Sequence, residues 1–268
     1  MLSANKPIAY APVLWASLAG SLGNNYLPAR AGEVIRSVYV SSVSGISKSF
    51  VLATAIGERM LDALILSAIG ALSMTAMGTG SPALLRAAQL VAGGAVLGTL
   101  FIAMAPRFED GLQRVFAKCA RQVPLAAAIE GIARQFLLGM RAFHHLGRLC
   151  GFVSLSVATW LSDATAAVLI GMALDLRLSF FLALFLLAAL GLSSGLPSTP
   201  GYLGIYQFVA VSVLVPFGFS RTQALAYIIA WQAAIYAMVT IWGGIGLWKL
   251  RGCLPAMRFF RRVEEPTQ

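Results

Sequence analysis

Three stretches of this chain, Leu84–Ala105, Leu149–Leu174 and Gln223–Trp248, each run for more than 20 residues with at most one charged side chain. A helix rises about 1.5 Å per residue, so about 20 apolar residues match the roughly 30 Å hydrocarbon thickness of a bilayer. No strand or soluble-core helix needs runs of that length. Composition points the same way: 59% of the 268 residues are hydrophobic and 11% are charged, against about 45–50% and about 25% in soluble domains. An ordinary cytosolic enzyme, a disulfide scaffold and a disordered chain are excluded. Lipid is the solvent this sequence requires.

Three further runs are less simple. Phe50–Met77 is long enough to cross but holds Glu58, Arg59 and Asp62. Ile8–Leu27 and Phe180–Leu196 each end in Leu-Pro, and each is followed by a short segment, Glu33–Ser44 and Tyr202–Phe217. Ile8–Leu27 does not read as a signal peptide, because Pro7 and Pro12 interrupt its start and no small-residue cleavage site follows.

The charge balance sets a topology. Twenty basic residues face ten acidic ones, a net charge of +10. Between residues 106 and 148 lie Arg107, Arg114, Lys118, Arg121, Arg134, Arg141 and Arg148, with Glu109, Asp110 and Glu130 as the acids. Basic connections stay on the cytoplasmic side, so this loop and the tail at 249–268 are expected there. The seven-residue spacing of the arginines predicts two interfacial helices broken near Pro124. An even number of crossings must then separate the loop from the tail, so residues 180–217 form either two full spans or a re-entrant hairpin.

The chain also echoes itself. Leu27-Pro28-Ala29-Arg30-Ala31-Gly32 and Leu196-Pro197-Ser198-Thr199-Pro200-Gly201 are both LPxxxG, and Gly45-Ile46-Ser47-Lys48 pairs with Gly218-Phe219-Ser220-Arg221. Proline removes an N–H and glycine relaxes the backbone, so each LPxxxG predicts a broken helix. Non-helical backbone is tolerated at membrane depth only inside protein or beside a polar cavity. With the basic loop cytoplasmic, the two elements enter from opposite faces. That is the inverted repeat of many transporters; plain kinked or terminated helices are the simpler alternative.

Charges mark the first half. Arg30, Glu33 and Arg36 form one helical stripe, and Glu58 and Asp62 share a face beside Arg59. Each costs about 2.5–3.5 kcal/mol at a bilayer centre on insertion scales, so they need partners. The expectation is a network of three bases and three acids. It serves either as ion-pair glue between helices or as an anion-binding group, for which arginine's planar fork suits phosphate. The second half offers neutral groups instead: Ser198, Thr199, Tyr202, Tyr206, Gln207, Gln232 and Tyr236. Asp163 stands alone in its span, a functional candidate by position. Cys119, Cys150 and Cys253 show no metal or redox spacing, the adjacent His144 and His145 read as a solvated face, and no HExxH, GxSxG or Walker loop occurs. Neither an enzyme nor a metal or cofactor is indicated.

The run NNYLPARAGEVIRSVYVSSVSGISKSFVLATAIGERMLDAL resembles the P-x-R-x-G-E-x-x-R … E-R-x-x-D signature of the lysylphosphatidylglycerol synthase transmembrane region, also described as flippase-like membrane proteins. PSTPGYLGIYQF is similar to that family's second signature, P-x-x-P-G-x-x-G. The resemblance implies functional roles for Pro28, Arg30, Gly32, Glu33, Arg36, Glu58, Arg59, Asp62, Pro197, Pro200, Gly201 and Gly204. Gln207, from the neutral polar set, joins them as a substrate-binding candidate. In family members that carry a soluble aminoacyl-transfer domain, the membrane part is associated with moving the modified lipid. A chain without that domain is expected to translocate lipid and not to synthesise it. Relatives carry one or two more hydrophobic helices before the first signature, so the expectation here is a naturally short chain or a start at an internal methionine.

The reading is an all-α, polytopic helical bundle in the bacterial inner membrane, a single membrane domain over 1–268. Repeat one covers about 8–77, a connecting span 84–105, the basic loop 106–148, repeat two about 149–248 and the tail 249–268. Its expected function is a flippase or transporter for an anionic lipid or lipid-linked headgroup. The expected partners are membrane lipids: anionic phospholipid, aminoacyl lipid, hopanoid or polyprenyl-linked lipid. A lipid-modifying enzyme is the further partner, and no nucleic acid is. The alternative is a non-transporting scaffold that recruits such an enzyme through the basic loop.

Overall fold

The computed structural model describes residues 10–27, 31–44, 48–78, 146–194 and 199–251, with single helical positions at 86, 89, 93, 94, 97 and 100. Every regular element among them is helical: α1 (Tyr10–Tyr26), α2 (Ala31–Ser44), α3 (Lys48–Ala76), α4 (Leu146–Ala173), α5 (Phe180–Ser193), α6 (Ile205–Leu214) and α7 (Arg221–Leu250). Short 3-10 turns at Pro200–Tyr202 and Val215–Phe217 flank α6. Most of the expected span Leu84–Ala105, the basic loop from 106 to 145 and the tail beyond 251 lie outside the described residues.

Lengths sort the helices into two kinds. At about 1.5 Å per residue, α3, α4 and α7 with 29, 28 and 30 residues are long enough to cross a hydrocarbon core. By length and apolarity together, α4 and α7 qualify as spans; α3 carries Lys48, Glu58, Arg59 and Asp62. The helices α1, α2, α5 and α6 hold 17, 14, 14 and 10 residues. The order two short helices, then one long, occurs twice, as α1–α2–α3 and as α5–α6–α7. Two boundaries differ from the sequence reading. Leu146–Arg148, assigned to the basic loop, already form the first turn of α4, and Lys249 and Leu250 still belong to α7.

Local chemistry explains the ends. Pro12 sits in the first turn of α1, where its missing N–H is not needed. Ser179 caps α5, its hydroxyl accepting from the Leu182 N–H at 3.2 Å. α7 opens with a reciprocal capping box: the Ser220 N–H donates to Gln223 Oε1 at 2.9 Å, and the Gln223 N–H donates to Ser220 Oγ at 3.1 Å. The second GxSx echo therefore marks a helix start.

The described residues form two compact units interleaved in sequence, one drawn from 1–52, 198–202 and 233–268 and the other from 53–197 and 203–232. In the first, Ala16, Ala19, Tyr39, Val40, Val51 and Leu250 make the core, bringing α1, α2 and the end of α7 together. α1 packs on both sides through glycine. A Cβ at Gly23 would stand 2.8 Å from Gly32 Cα, and a Cβ at Gly246 would stand 2.8 Å from the Trp15 carbonyl. Helices that approach this closely need small residues at the crossing. In the second unit α5 is the centre. Leu182, Ala183, Leu184, Leu186, Leu187, Ala188 and Leu190 are all buried, so the helix is covered on every face. Gly70 of α3 meets Ala188, and Gly191 meets Leu66 of α3 and Trp160 of α4.

Candidate functional site

In the first unit the LPxxxG positions are organised by contact. α2 starts at Ala31 and lies along α1, with Gly32 at the crossing: a Cβ there would overlap the Gly20 carbonyl oxygen and the Asn24 backbone. This is why the P-x-R-x-G-E pattern needs glycine at 32 and not merely a small residue. One position on, Glu33 receives a long hydrogen bond from Asn24 Nδ2 at 3.5 Å and pairs with Arg36 at 4.0 Å. Their side chains are 15% and 19% exposed. A carboxylate and a guanidinium are thus held in a largely enclosed place beside the end of α1.

The second signature reaches the same unit. Gly201, in the 3-10 turn, has φ 74°, a left-handed conformation that costs glycine little. A Cβ there would also fall on the Tyr236 hydroxyl. Tyr202 (φ 59°) follows in the same region. Tyr236 meets Tyr26 edge to face, with ring centroids 5.9 Å apart. The Tyr26 and Thr240 hydroxyls are hydrogen-bonded at 2.7 Å. Tyr26 immediately precedes Leu27-Pro28. Both LPxxxG neighbourhoods therefore converge on Tyr236.

The remaining candidates lie in the second unit. Gly204 (φ 89°) begins α6, and its N–H donates to Gln207 Oε1 at 2.7 Å. Gln207 Nε2 donates to Oε1 of the buried Gln232 on α7 at 2.6 Å. Asp62 of α3 accepts from the Ser156 hydroxyl at 2.6 Å and from Trp160 Nε1 at 3.0 Å, both on Oδ1. Ser156, Trp160 and Asp163 recur at i, i+4 and i+7 on one face of α4. Glu58 is half-buried and Arg59 exposed.

Of the expected charge network, the described residues show the following contacts. Glu33 and Arg36 pair within α2, while Asp62, among the described residues, is held by two neutral donors and not by an arginine. Pro28, Arg30 and Pro197 lie outside the described residues, and Pro200 is described by its backbone alone. Asn24, Tyr26, Ser156, Trp160 and Thr240 were not singled out by sequence. Asn24 and Tyr26 stand inside the quoted signature run, but the partners of Tyr26 and Asp62 lie 214, 94 and 98 residues away. Among the described residues no group of three or more His, Cys, Asp or Glu could hold a metal.

The Asp62 contacts give a direct expectation. Leaving a part-buried acceptor without one of its donors costs about 1–3 kcal/mol, so Ser156→Ala should destabilise the fold by about that much. Trp160→Phe, which keeps most of the packing against Gly191, should do the same. Thermal unfolding in detergent reads both, and in an Asp62→Asn background the Ser156→Ala cost should shrink.

The model of the family described as the lysylphosphatidylglycerol synthase TM region matches residues 1–243. A curated relative from Haloferax volcanii, Glycosyltransferase AglD, is 26% identical over 257 residues, covering 84% of this chain and 41% of that protein. The chain spans about two fifths of the length of the curated relative it matches. No solved structure matches it.

Proposed function

The chain belongs to the lysylphosphatidylglycerol synthase TM region family, and on that premise we propose that it moves an anionic lipid, or a lipid-linked headgroup, across a membrane. It is a membrane protein, as its family and its apolar helices require. The observation that carries the reading is the Glu33–Arg36 pair, set beside the end of α1 with both side chains largely enclosed. A buried ion pair contributes little to stability compared with apolar packing. Its chemistry suits a phosphate: arginine offers two parallel donors, and the neighbouring carboxylate is a partner that a headgroup displaces and that reclaims the arginine on release.

The rest of the reading follows from that role. Arg30 and Arg36 hold the headgroup while acyl or prenyl chains stay in lipid. The two short-helix pairs act as re-entrant elements of an inverted repeat, since about 14 residues of helix reach only about 21 Å. Convergence of both signatures on Tyr236 supports broken helices facing protein and not lipid. The protein sits as a multi-pass chain in the cytoplasmic membrane of a bacterium with its C-terminus inside, and it carries its substrate without chemical change. The relative named as a glycosyltransferase extends the candidate cargo to lipid-linked sugars.

Proteoliposomes test this. Labelled phosphatidylglycerol, its aminoacylated form and a polyprenyl phosphate are followed across the bilayer, with protein-free vesicles and Arg30→Ala as comparisons. Movement well above empty vesicles for one of the lipids, lost in Arg30→Ala, is the expected result. A folded protein that moves none of the three rejects the transporter. In that case retention of a lipid-modifying enzyme, lost when the basic residues of 106–148 are replaced, would identify a scaffold.

A further inference from the structure

The C-terminal end of α7 carries a group that the transport reading does not use. Trp248 is 56% exposed. Two cations stand over its ring, the Lys249 ammonium 5.2 Å and the Arg251 guanidinium 5.1 Å from the centroid. Either one alone is an ordinary cation–π contact. Together they place two exposed positive charges no more than about 10 Å apart, within about one Debye length, so each raises the cost of the other.

Among the described residues of the same compact unit, little offsets that repulsion. No acidic residue occurs between Asp175 and Glu264. Among the described residues of the same compact unit the carboxylate is Glu33, which pairs with Arg36. A helix C-terminus favours one nearby cation through its dipole, but that does not account for two over one indole. The position is informative as well. The group closes a 30-residue apolar helix, twelve residues and so about 18 Å along the axis from Tyr236. Tryptophan prefers headgroup depth, and basic side chains there attract anionic lipid.

We propose that Trp248, Lys249 and Arg251 form a binding site for the headgroup of an anionic phospholipid, with the two cations as partners of the phosphate and the indole at the level of the glycerol. The shared chemistry is a phosphate anion, and the lipid is the source to which the site is assigned. Nothing in this depends on whether the protein transports lipid.

The test uses the full chain in a neutral detergent, with short-chain phosphatidylglycerol, short-chain phosphatidylcholine and inorganic phosphate as probes and thermophoresis as the readout. Phosphatidylglycerol should bind best, with affinity falling about fivefold in Lys249→Gln or Arg251→Gln and about twentyfold or more in the double variant. The charge-preserving swap Lys249→Arg with Arg251→Lys should stay within about twofold, which separates lost charge from lost fold. Wild-type affinity in the double glutamine variant would overturn the site. Equal binding of phosphatidylcholine would remove its anion selectivity. Inorganic phosphate binding as tightly as the lipid would reassign it to a free anion.

Discussion

Gly32→Ala abolishes the close contact of α1 with α2, and the folded yield of the protein falls with it. The added methyl overlaps the Gly20 carbonyl oxygen and the Asn24 backbone. Backbone atoms cannot turn aside as a side chain can, so the helices must separate and expose the core around Ala16, Ala19 and Tyr39. Overpacking costs about 1–3 kcal/mol where side chains can adjust, and here the cost should reach at least about 3 kcal/mol. Gly244→Ala is the matched control. Nothing stands within 4 Å of a Cβ at Gly244, and alanine in a helix interior gains up to about 1 kcal/mol over glycine. Thermal unfolding in detergent, read by size-exclusion chromatography, should place Gly32→Ala about 6–12 °C or more below wild type, or show no folded protein at all, and Gly244→Ala at or up to about 4 °C above it. Equal melting of both variants would remove the crossing from the account.

Arg36→Ala should spare the fold more than Gly32→Ala and cost more function than any other substitution among the described charges. The ion pair to Glu33 is long, at 4.0 Å, so its loss leaves a carboxylate that Asn24 still contacts. A charged hydrogen bond to substrate contributes about 1.5–3 kcal/mol, which corresponds to about a 10- to 100-fold fall in lipid movement. Arg36→Lys keeps the charge and loses the fork, so it should fall between wild type and alanine. Unchanged transport in folded Arg36→Ala protein would make the pair structural. The same proteoliposomes with Glu33→Gln complete the comparison: a neutral amide cannot reclaim the arginine, so headgroup release should slow.

Much of the architecture was legible because it rests on local signals. Apolar runs gave α4 and α7 to within a few residues, and the two LPxxxG positions correctly divided α1 from α2 and α5 from α6. The Gly218-Phe219-Ser220-Arg221 echo carried a capping box that chain-local chemistry specifies. What was not legible depends on packing at a distance. Glycine at 32 could be read as a helix breaker, but not as the point where α1 leaves no room for a methyl group. Asp62 called for a counter-charge by its cost in lipid, yet hydroxyl and indole donors hold it, and no spacing rule links them across 94 and 98 residues. Tyr236 read as one of several neutral polar residues; its place against Gly201 and Tyr26 is a product of the first unit's fold.

The burial of α5 on every face sets how tolerant the sequence is along the chain. α4 buries Leu149, Ala164, Ala167 and Gly171 and leaves Leu155, Leu169 and Met172 exposed. Replacements on that outer side need only stay greasy, so permitted variation along α4 rises and falls with the helical turn. α5 has no such permissive side between Leu182 and Leu190, where its residues are bounded by protein and fixed in volume. That middle stretch is one where drift is suppressed throughout, although no catalytic or charged group stands in it, while Phe180, Phe181 and Leu192 at the exposed ends stay free to vary.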